Sequence, residues 1–366
     1  MSSMLTMLKS RLKGTWLGRY LRRRKWNQGI LSEASVRRCV EQRMGDASAE
    51  DKRRVIDDIL EMARKYRFSA DEYFAYHFQG KSEEERSSFC SDLNRIDICE
   101  SLNRPENLVI FNDKLQTYRR YSRYYGRDFC GVKGAGDLPA LRAFVHKHSV
   151  FILKPADSSC GQGIQRVDLT ACKDVEAELQ KLLDAYCAGY RDGFVAEELI
   201  VQDERMSKLH PGSVNTIRVT TIRCDDGIEV LPIFVKMGRG GSLVDNAGAG
   251  GIFGAVDMEN GRIIAVTDKL GNSYERHPDS DVELVGYEIP RIGEAVALAK
   301  ELAMVLPENR YTGWDLALTK DGWIMVEGNA RGQFVGWQIS LQKGCMGEIN
   351  RILCRLGRKE MTRTGV

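Results

Sequence analysis

The sequence predicts an α+β protein: a mostly helical N-terminal region over residues 1–110, followed by helices interleaved with strands that pair as antiparallel hairpins. Three observations carry this reading. Val55, Ile56, Ile59, Leu60, Met62, Ala63 and Tyr66 recur at three-to-four spacing, the period of an amphipathic helix. From about Asn112 the texture turns to short apolar runs bounded by glycine and acidic turns. Residues 312–329 read as a hairpin that gathers acids on one face. Antiparallel pairs, rather than repeated strand–helix–strand units, argue against a doubly wound sheet.

The chain has 366 residues and a net charge of only +3, so bulk electrostatics exclude a general nucleic-acid binder. Charge is uneven along it. Lys9, Arg11, Lys13, Arg19, Arg22, Arg23, Arg24 and Lys25 precede the first acid, Glu33. With Leu5, Leu8, Leu12 and Trp16 the opening is amphipathic. Two readings stay open: it packs on its own domain, or residues 1–26 make a peripheral contact with an anionic membrane. The cysteines are scattered without Cys-x-x-Cys or Cys/His finger spacing, which points to a reducing cytoplasm and away from a structural zinc site. No apolar stretch is long enough to span a bilayer. The five histidines show no metal-ligand spacing.

Beyond residue 110, Val150–Leu153 is a buried-strand run, residues 176–186 form a helix, and Phe194–Val201 a further strand. Residues 214–223 and 228–237 form a hairpin about Asp225-Asp226-Gly227. Ile292–Val305 is a helix, and Ile339–Leu356 closes the chain as another. Gly131-Val-Lys-Gly-Ala-Gly136 reads as a linker.

The hairpin at 312–329 is the most informative segment. A turn centred near Asp321 sets Asp315 across from Glu327, and side chains on one face recur every second residue, so Asn329 joins them. Two carboxylates and an amide suit Mg²⁺, which is usually held by one or two carboxylates plus phosphate oxygens. Upstream, Lys154 ends a strand and residues 158–164 form a glycine loop. The backbone there, through Ser159, Gly161 and Gly163, could turn its N–H groups around phosphate oxygens. Cys160 is read as a small filler. The string is not a strand–GxxxxGK[ST]–helix loop. Arg218 and Lys236 fall on the polar face of the central hairpin, placed to stabilise a transferring phosphoryl group. Arg239 to Gly251, rich in glycine, reads as a mobile cover.

Taken in order, Asn112-Asp113-Lys114, Phe151-Ile-Leu-Lys154-Pro155, Gly161-Gln-Gly-Ile164, Val195-Ala-Glu-Glu-Leu-Ile200, Asn215-Thr-Ile-Arg218, Trp314-Asp315 and Glu327-Gly-Asn329 resemble the ATP-grasp superfamily, in its sugar-transfer-associated, exopolysaccharide-type branch. The resemblance covers about residues 110–345. It implies two α+β lobes with antiparallel sheets clasping ATP, divided here as 111–195 and 196–366. Lys114 and Lys154 would hold phosphates, residues 197–200 (Glu197, Glu198 and Ile200 among them) would meet adenine, and Asp203 or Glu204 would reach ribose. Asp315, Glu327 and Asn329 would hold Mg²⁺, with two ions expected and Mn²⁺ as a substitute.

The activity implied is a carboxylate–amine ligase working through an acyl phosphate, on small-molecule acid and amine substrates, decorating a saccharide or its precursor with an amino acid. Two alternatives stay open: a related kinase acting on a hydroxyl, and a nucleotide-binding module without turnover in a glycan assembly complex. Many relatives carry an α/β domain before the ATP-binding part, whereas this chain has a helical region there.

Overall fold

The computed structural model describes residues 24–26, 28–158, 161–190 and 192–361. The basic opening and Ser159 and Cys160 therefore lie outside the described residues, apart from 24–26.

After helical residues at 24–26 and 28–30 come helices α1 (Glu33–Arg43) and α2 (Ala49–Tyr66). The α2 N-terminus is set by Ser48, whose side chain accepts the Asp51 amide, and its expected apolar stripe is buried. α3 (Ala70–Ala75) and α4 (Glu83–Ser87) each start on a reciprocal capping box, Ser69 with Glu72 and Ser82 with Glu85. α5 (Asp92–Leu102), α6 (Leu108–Asn112) and α7 (Lys114–Tyr121) follow, so helices continue past residue 110.

The first sheet contains β1 (Phe129–Val132), β2 (Val150–Pro155), β3 (Gln165–Asp168) and β4 (Phe194–Glu198) in the order β1-β4-β2-β3, with every neighbouring pair antiparallel. Helices α8 (Leu138–Lys147) and α9 (Val175–Gly189) bury Leu141, Phe144, Leu179 and Leu183 against Phe151, Leu153 and Phe194. That leaves the ends of β2 and β4 directed at the second sheet.

The second sheet has the order β11-β10-β5-β7-β8-β9, with β6 paired to β5. Its strands are β5 (Thr216–Arg223), β6 (Ile228–Val230), β7 (Phe234–Met237), β8 (Ile252–Val256), β9 (Ile263–Asp268), β10 (Tyr311–Thr319) and β11 (Gly322–Asn329). Between β4 and β5 lies α10 (Glu204–Leu209). Helix α11 (Ile292–Val305) packs Ala295, Ala299 and Leu302 on a core containing Ile217, Val219, Trp314 and Leu316. Elsewhere Phe234 and Phe253 share a core with Ile339 of α12 (Val335–Leu341) and with Phe68 and Tyr76, which seats the N-terminal helices on this lobe. α13 (Met346–Arg355) closes the described chain.

Several expectations are corrected. Gly131 is not a linker residue but lies inside β1, where a Cβ would meet Leu115 at 2.5 Å. β4 stops at Glu198 because the chain leaves the sheet to run along the cleft between the lobes. The second arm of the 214–237 hairpin is broken into β6 and β7 around Leu231-Pro232-Ile233, where proline supplies no amide to a ladder. The closing helix is two helices, interrupted by Gln342 at φ 52° and by Gly344, where a Cβ would meet the Ser88 carbonyl oxygen at 2.1 Å, so no side chain fits. Strands β8 and β9 and helix α8 were not legible.

Candidate active site

A cavity of about 330 Å³ opens between the two sheets. Its size is that of an ordinary small-ligand pocket. The first lobe contributes Ile152 and Lys154 of β2, Ser158 and Gly161 of the glycine loop, and the run Glu197 to Ile200. The second contributes Thr216, Lys236, Asp315 and the segment Val326-Glu327-Gly328. Lys114, Thr117 and Tyr118 of α7 form one wall, and Leu243 to Asn246 another.

Register shifts bring the second-lobe residues together. Thr319 pairs with Gly322 and Leu316 with Met325, but a bulge between Asp315 and Leu316 moves the register by one, so Asp315 faces Glu327 and Gly313 faces Asn329. Without that bulge, Glu327 would point to the other face. The central hairpin repeats the device: Arg223 pairs with Ile228, yet Thr216 pairs with Lys236, one residue out of step, so Lys236 shares a face with Arg218.

Asp315 is buried and doubly neutralised. Arg218 donates from Nε at 2.7 Å and Nη2 at 2.9 Å, and the Lys236 ammonium lies 3.2 Å away. Burial alone would raise the Asp315 carboxyl; Arg218 and Lys236 outweigh it and hold it below the ordinary carboxylate value. Arg218 spends Nη1 on the Gln333 carbonyl at 3.0 Å and does not line the cavity. Its expected place at the transferring phosphate is corrected to a place behind Asp315. Lys236 does face the cavity, and it also meets Asp245 at 3.4 Å. Asp245 in turn accepts the Thr216 amide at 3.0 Å and its hydroxyl. The glycine-rich segment 239–251 is thereby anchored to β5.

The opposite wall holds a buried charge cluster. Glu197 accepts Arg127 Nη2 at 2.7 Å and sits 2.9 Å from Lys154 Nζ. Burial, with Arg127 nearby, pushes the Lys154 ammonium down to about 7, and burial pushes the Glu197 carboxyl well above the usual carboxylate range. Two basic side chains therefore share one buried acid. Lys114 is aimed at the same loop, its Nζ donating to the Ser158 carbonyl.

The residues fit a divalent cation. Among the described residues no hydrogen bond or ion pair reaches the Glu327 carboxylate, which lines the cavity beside Asp315 and opposite Lys154. Asn329 Nδ2 reaches Asp315 at 3.4 Å, which leaves the amide oxygen available. An all-oxygen donor set of this kind suits Mg²⁺.

Lys114, Lys154, Gly161, Glu197, Glu198, Ile200, Lys236, Asp315 and Glu327 line one cavity. Gly163 lies just behind it with φ 71°. Ser159 falls outside the described residues. The Glu197 carboxylate is taken by Arg127 and Lys154, so only its strand and its successors are free to meet a base. Asp203 caps α10 and binds Arg205 at 3.0 Å, and neither it nor Glu204 reaches the cavity wall. Gln202 stands there instead. Sequence reasoning missed Asp245, whose signal was a lone acid in a glycine-rich stretch, and Arg127, which has no local signal because its partner is 70 residues away.

Two antiparallel sheets facing one cation-lined cavity define a two-lobed clasp of the ATP-grasp class. The chain belongs to the sugar-transfer associated ATP-grasp family, whose sequence model matches residues 94–353. No curated protein matches it significantly. Among solved structures it is similar to the ATP-grasp ligase PsnB complexed with minimal precursor, Mg and ADP, at 16% identity over 70% of this chain and 62% of that one, TM-score 0.41. It is also similar to N5-carboxyaminoimidazole synthetase from Staphylococcus aureus complexed with ADP, at 12% identity over 74% and 59%, TM-score 0.42. A third is the L-amino acid ligase from Bacillus licheniformis, at 16% identity over 62% and 42%, TM-score 0.36. The chain spans less than two thirds of the length of each of these proteins.

Proposed function

We propose that the protein is an ATP- and Mg²⁺-dependent ligase that joins a carboxylate to an amine through an acyl phosphate, with a saccharide or saccharide precursor as one substrate and an amino acid as the other. The observation that carries the reading is the Glu327 carboxylate, which has no hydrogen-bond or ion-pair partner among the described residues and lies beside neutralised Asp315 and opposite Lys154. The two lobes divide after the run Glu197 to Ile200 rather than between 195 and 196, because β4 belongs whole to the first sheet.

Lys114 and Lys154 bind phosphate oxygens as point charges, and the glycine loop adds backbone donors. Asp315, Glu327 and Asn329 would hold Mg²⁺, which when bound draws charge from the β- and γ-phosphates. Arg218 fixes the orientation of Asp315, and Lys236 faces the phosphoryl group in flight. A substrate carboxylate oxygen bonds to the γ-phosphorus as the bond to the ADP oxygen breaks. The amine nitrogen then bonds to the acyl carbon, inorganic phosphate leaves, and the amine loses a proton. No protein nucleophile is required, because positioning and charge do the work. The cover held by Asp245 excludes water that would otherwise hydrolyse the acyl phosphate.

The sugar-transfer description of the family supports a saccharide substrate. Product mass spectrometry after incubating protein, Mg²⁺ and ATP with mixed amino acids and sugar acids tests the proposal. An amide with free phosphate is expected. A phosphorylated acceptor, or no product in any mixture, contradicts it.

A further inference from the structure

The helical region is joined to the second lobe at a particular place. Asn103, at the C-terminal end of α5, is 5% exposed. Its Nδ2 donates to the Tyr311 carbonyl at 2.8 Å and to the Ala330 carbonyl at 2.8 Å, and its Oδ1 accepts the Tyr311 amide at 2.8 Å. Tyr311 is the first residue of β10, and Ala330 follows the last residue of β11. One buried amide side chain therefore ties together the two strands of the 311–329 hairpin at its open end, next to Asn329.

About two helical turns away, Arg95 extends the same grip. It is 5% exposed, donates from Nη1 to the carbonyls of Arg331 and Gly332, and is itself held by Asp92 at 2.8 Å. Glu100 pairs with Arg331 at 2.9 Å, and Gln333 reaches Asp92 at 3.1 Å. The segment that leaves Asn329 is thus fixed by α5 side chains on one side. Its Gln333 carbonyl accepts Arg218, the residue that orients Asp315, on the other. Buried hydrogen bonds from a rigid helix to three successive main-chain carbonyls set where the strand end lies, and a buried carbonyl that loses its donor moves toward another.

We propose that α5 is part of the metal-binding machinery, with Asn103 and Arg95 as positioning residues that set the spacing of Asp315 and Glu327 against Asn329. The inference rests on reading those three side chains as metal ligands. It assigns a role in the reaction to a helix that contributes no side chain to the cavity.

The test is Mn²⁺ affinity, read by electron paramagnetic resonance with saturating ADP, alongside ADP affinity in EDTA. Asn103→Ala should weaken Mn²⁺ binding roughly tenfold or more, the size expected for loss of a residue that supports a ligand. ADP affinity in EDTA should be unchanged, a split that a merely structural role does not produce. Arg95→Lys, which keeps the charge on Asp92 but cannot span both carbonyls, should weaken Mn²⁺ in the same direction, and it decides the matter if Asn103→Ala does not fold. Wild-type Mn²⁺ affinity in folded variants overturns the inference, as does a parallel loss of ADP affinity in EDTA. Glu327→Gln separates this failure from that of the metal reading: if it binds Mn²⁺ as the wild type does, the ligand assignment itself falls, and the positioning role with it.

Discussion

Arg218 and Asp315 stand directly opposite each other on β5 and β10, and the guanidinium closes on the carboxylate with two parallel bonds, 2.7 and 2.9 Å long. The contact turns a buried acid into an oriented one. Arg218→Ala leaves that acid with Lys236 as its one remaining cation, and breaking a buried pair from one side costs about 3–5 kcal/mol. A clear drop in melting temperature at neutral pH is expected. Because the folded carboxyl is held below its unfolded value, the stabilisation it lends is present above about pH 4 and lost as pH falls through the folded value. The variant's deficit should therefore shrink in acid. A deficit that is constant down to pH 3 would show that the Arg218–Asp315 charge pair is not its source.

Lys154 should make nucleotide binding pH-dependent. Its ammonium is depressed to about 7 in the free protein, and phosphate oxygens raise it again. Binding then takes up a proton above pH 7, so ADP affinity in EDTA should be flat below that value and fall by about tenfold per pH unit above it. Lys154→Arg, charged throughout, should flatten the profile. A flat wild-type profile between pH 7 and 9 contradicts a phosphate contact by Lys154.

Gly163 holds φ 71°, and a Cβ placed there would meet the Tyr190 hydroxyl and Pro155 Cγ at 2.2 and 2.7 Å. Gly163→Ala adds backbone strain of roughly 1–2 kcal/mol to that clash. Since each 1.4 kcal/mol is about tenfold in affinity, ATP binding should weaken about tenfold or more, with a smaller effect on melting temperature. Calorimetry showing wild-type ATP affinity would remove the glycine loop from the phosphate site.

The basic opening of the chain carries its own prediction. Each Lys or Arg close to an anionic leaflet contributes about 1 kcal/mol, and the attraction is screened by salt. Full-length protein should sediment with anionic vesicles at low salt and be released at high salt, while a chain lacking residues 1–26 should stay in the supernatant and keep its ATP turnover. Equal sedimentation of the two leaves the alternative, in which Leu5, Leu8, Leu12 and Trp16 pack inward; the truncation then lowers the melting temperature.

The helical N-terminal region and the 311–329 hairpin were legible because the three-to-four spacing of Val55 to Tyr66 and the turn at Asp321 are local signals, whereas the serine caps that start individual helices were not read. Ser48, Ser69 and Ser82 each accept an amide three residues on. The Lys320-Asp321 turn lies between residues that pair as Thr319 and Gly322. The pairing of Asp315 with Glu327 follows from a turn centred on Asp321, yet the protein reaches it through a tight turn plus a bulge, a detail no residue pattern displays. What stayed hidden is non-local. Arg127 meets Glu197 across 70 residues, and Arg218 is drawn behind Asp315 by strand register. The resemblance casts Asp203 or Glu204 as the ribose contact, but Asp203 is used as a helix cap. β1 was masked by its glycine, and the broken arm at Pro232 looked continuous because apolar residues flank it.

The central claim is that Asp315, Glu327 and Asn329 form a divalent-metal site that serves a nucleotide in the same cavity. Calorimetric titration of ADP into wild-type protein and Glu327→Gln, each with Mg²⁺ and with EDTA, tests it most directly. Mg²⁺ should tighten ADP binding to the wild type by roughly tenfold or more, and this gain should vanish in Glu327→Gln while the EDTA affinity stays the same, because only a metal ligand has been lost. An undiminished Mg²⁺ gain in Glu327→Gln would contradict the account.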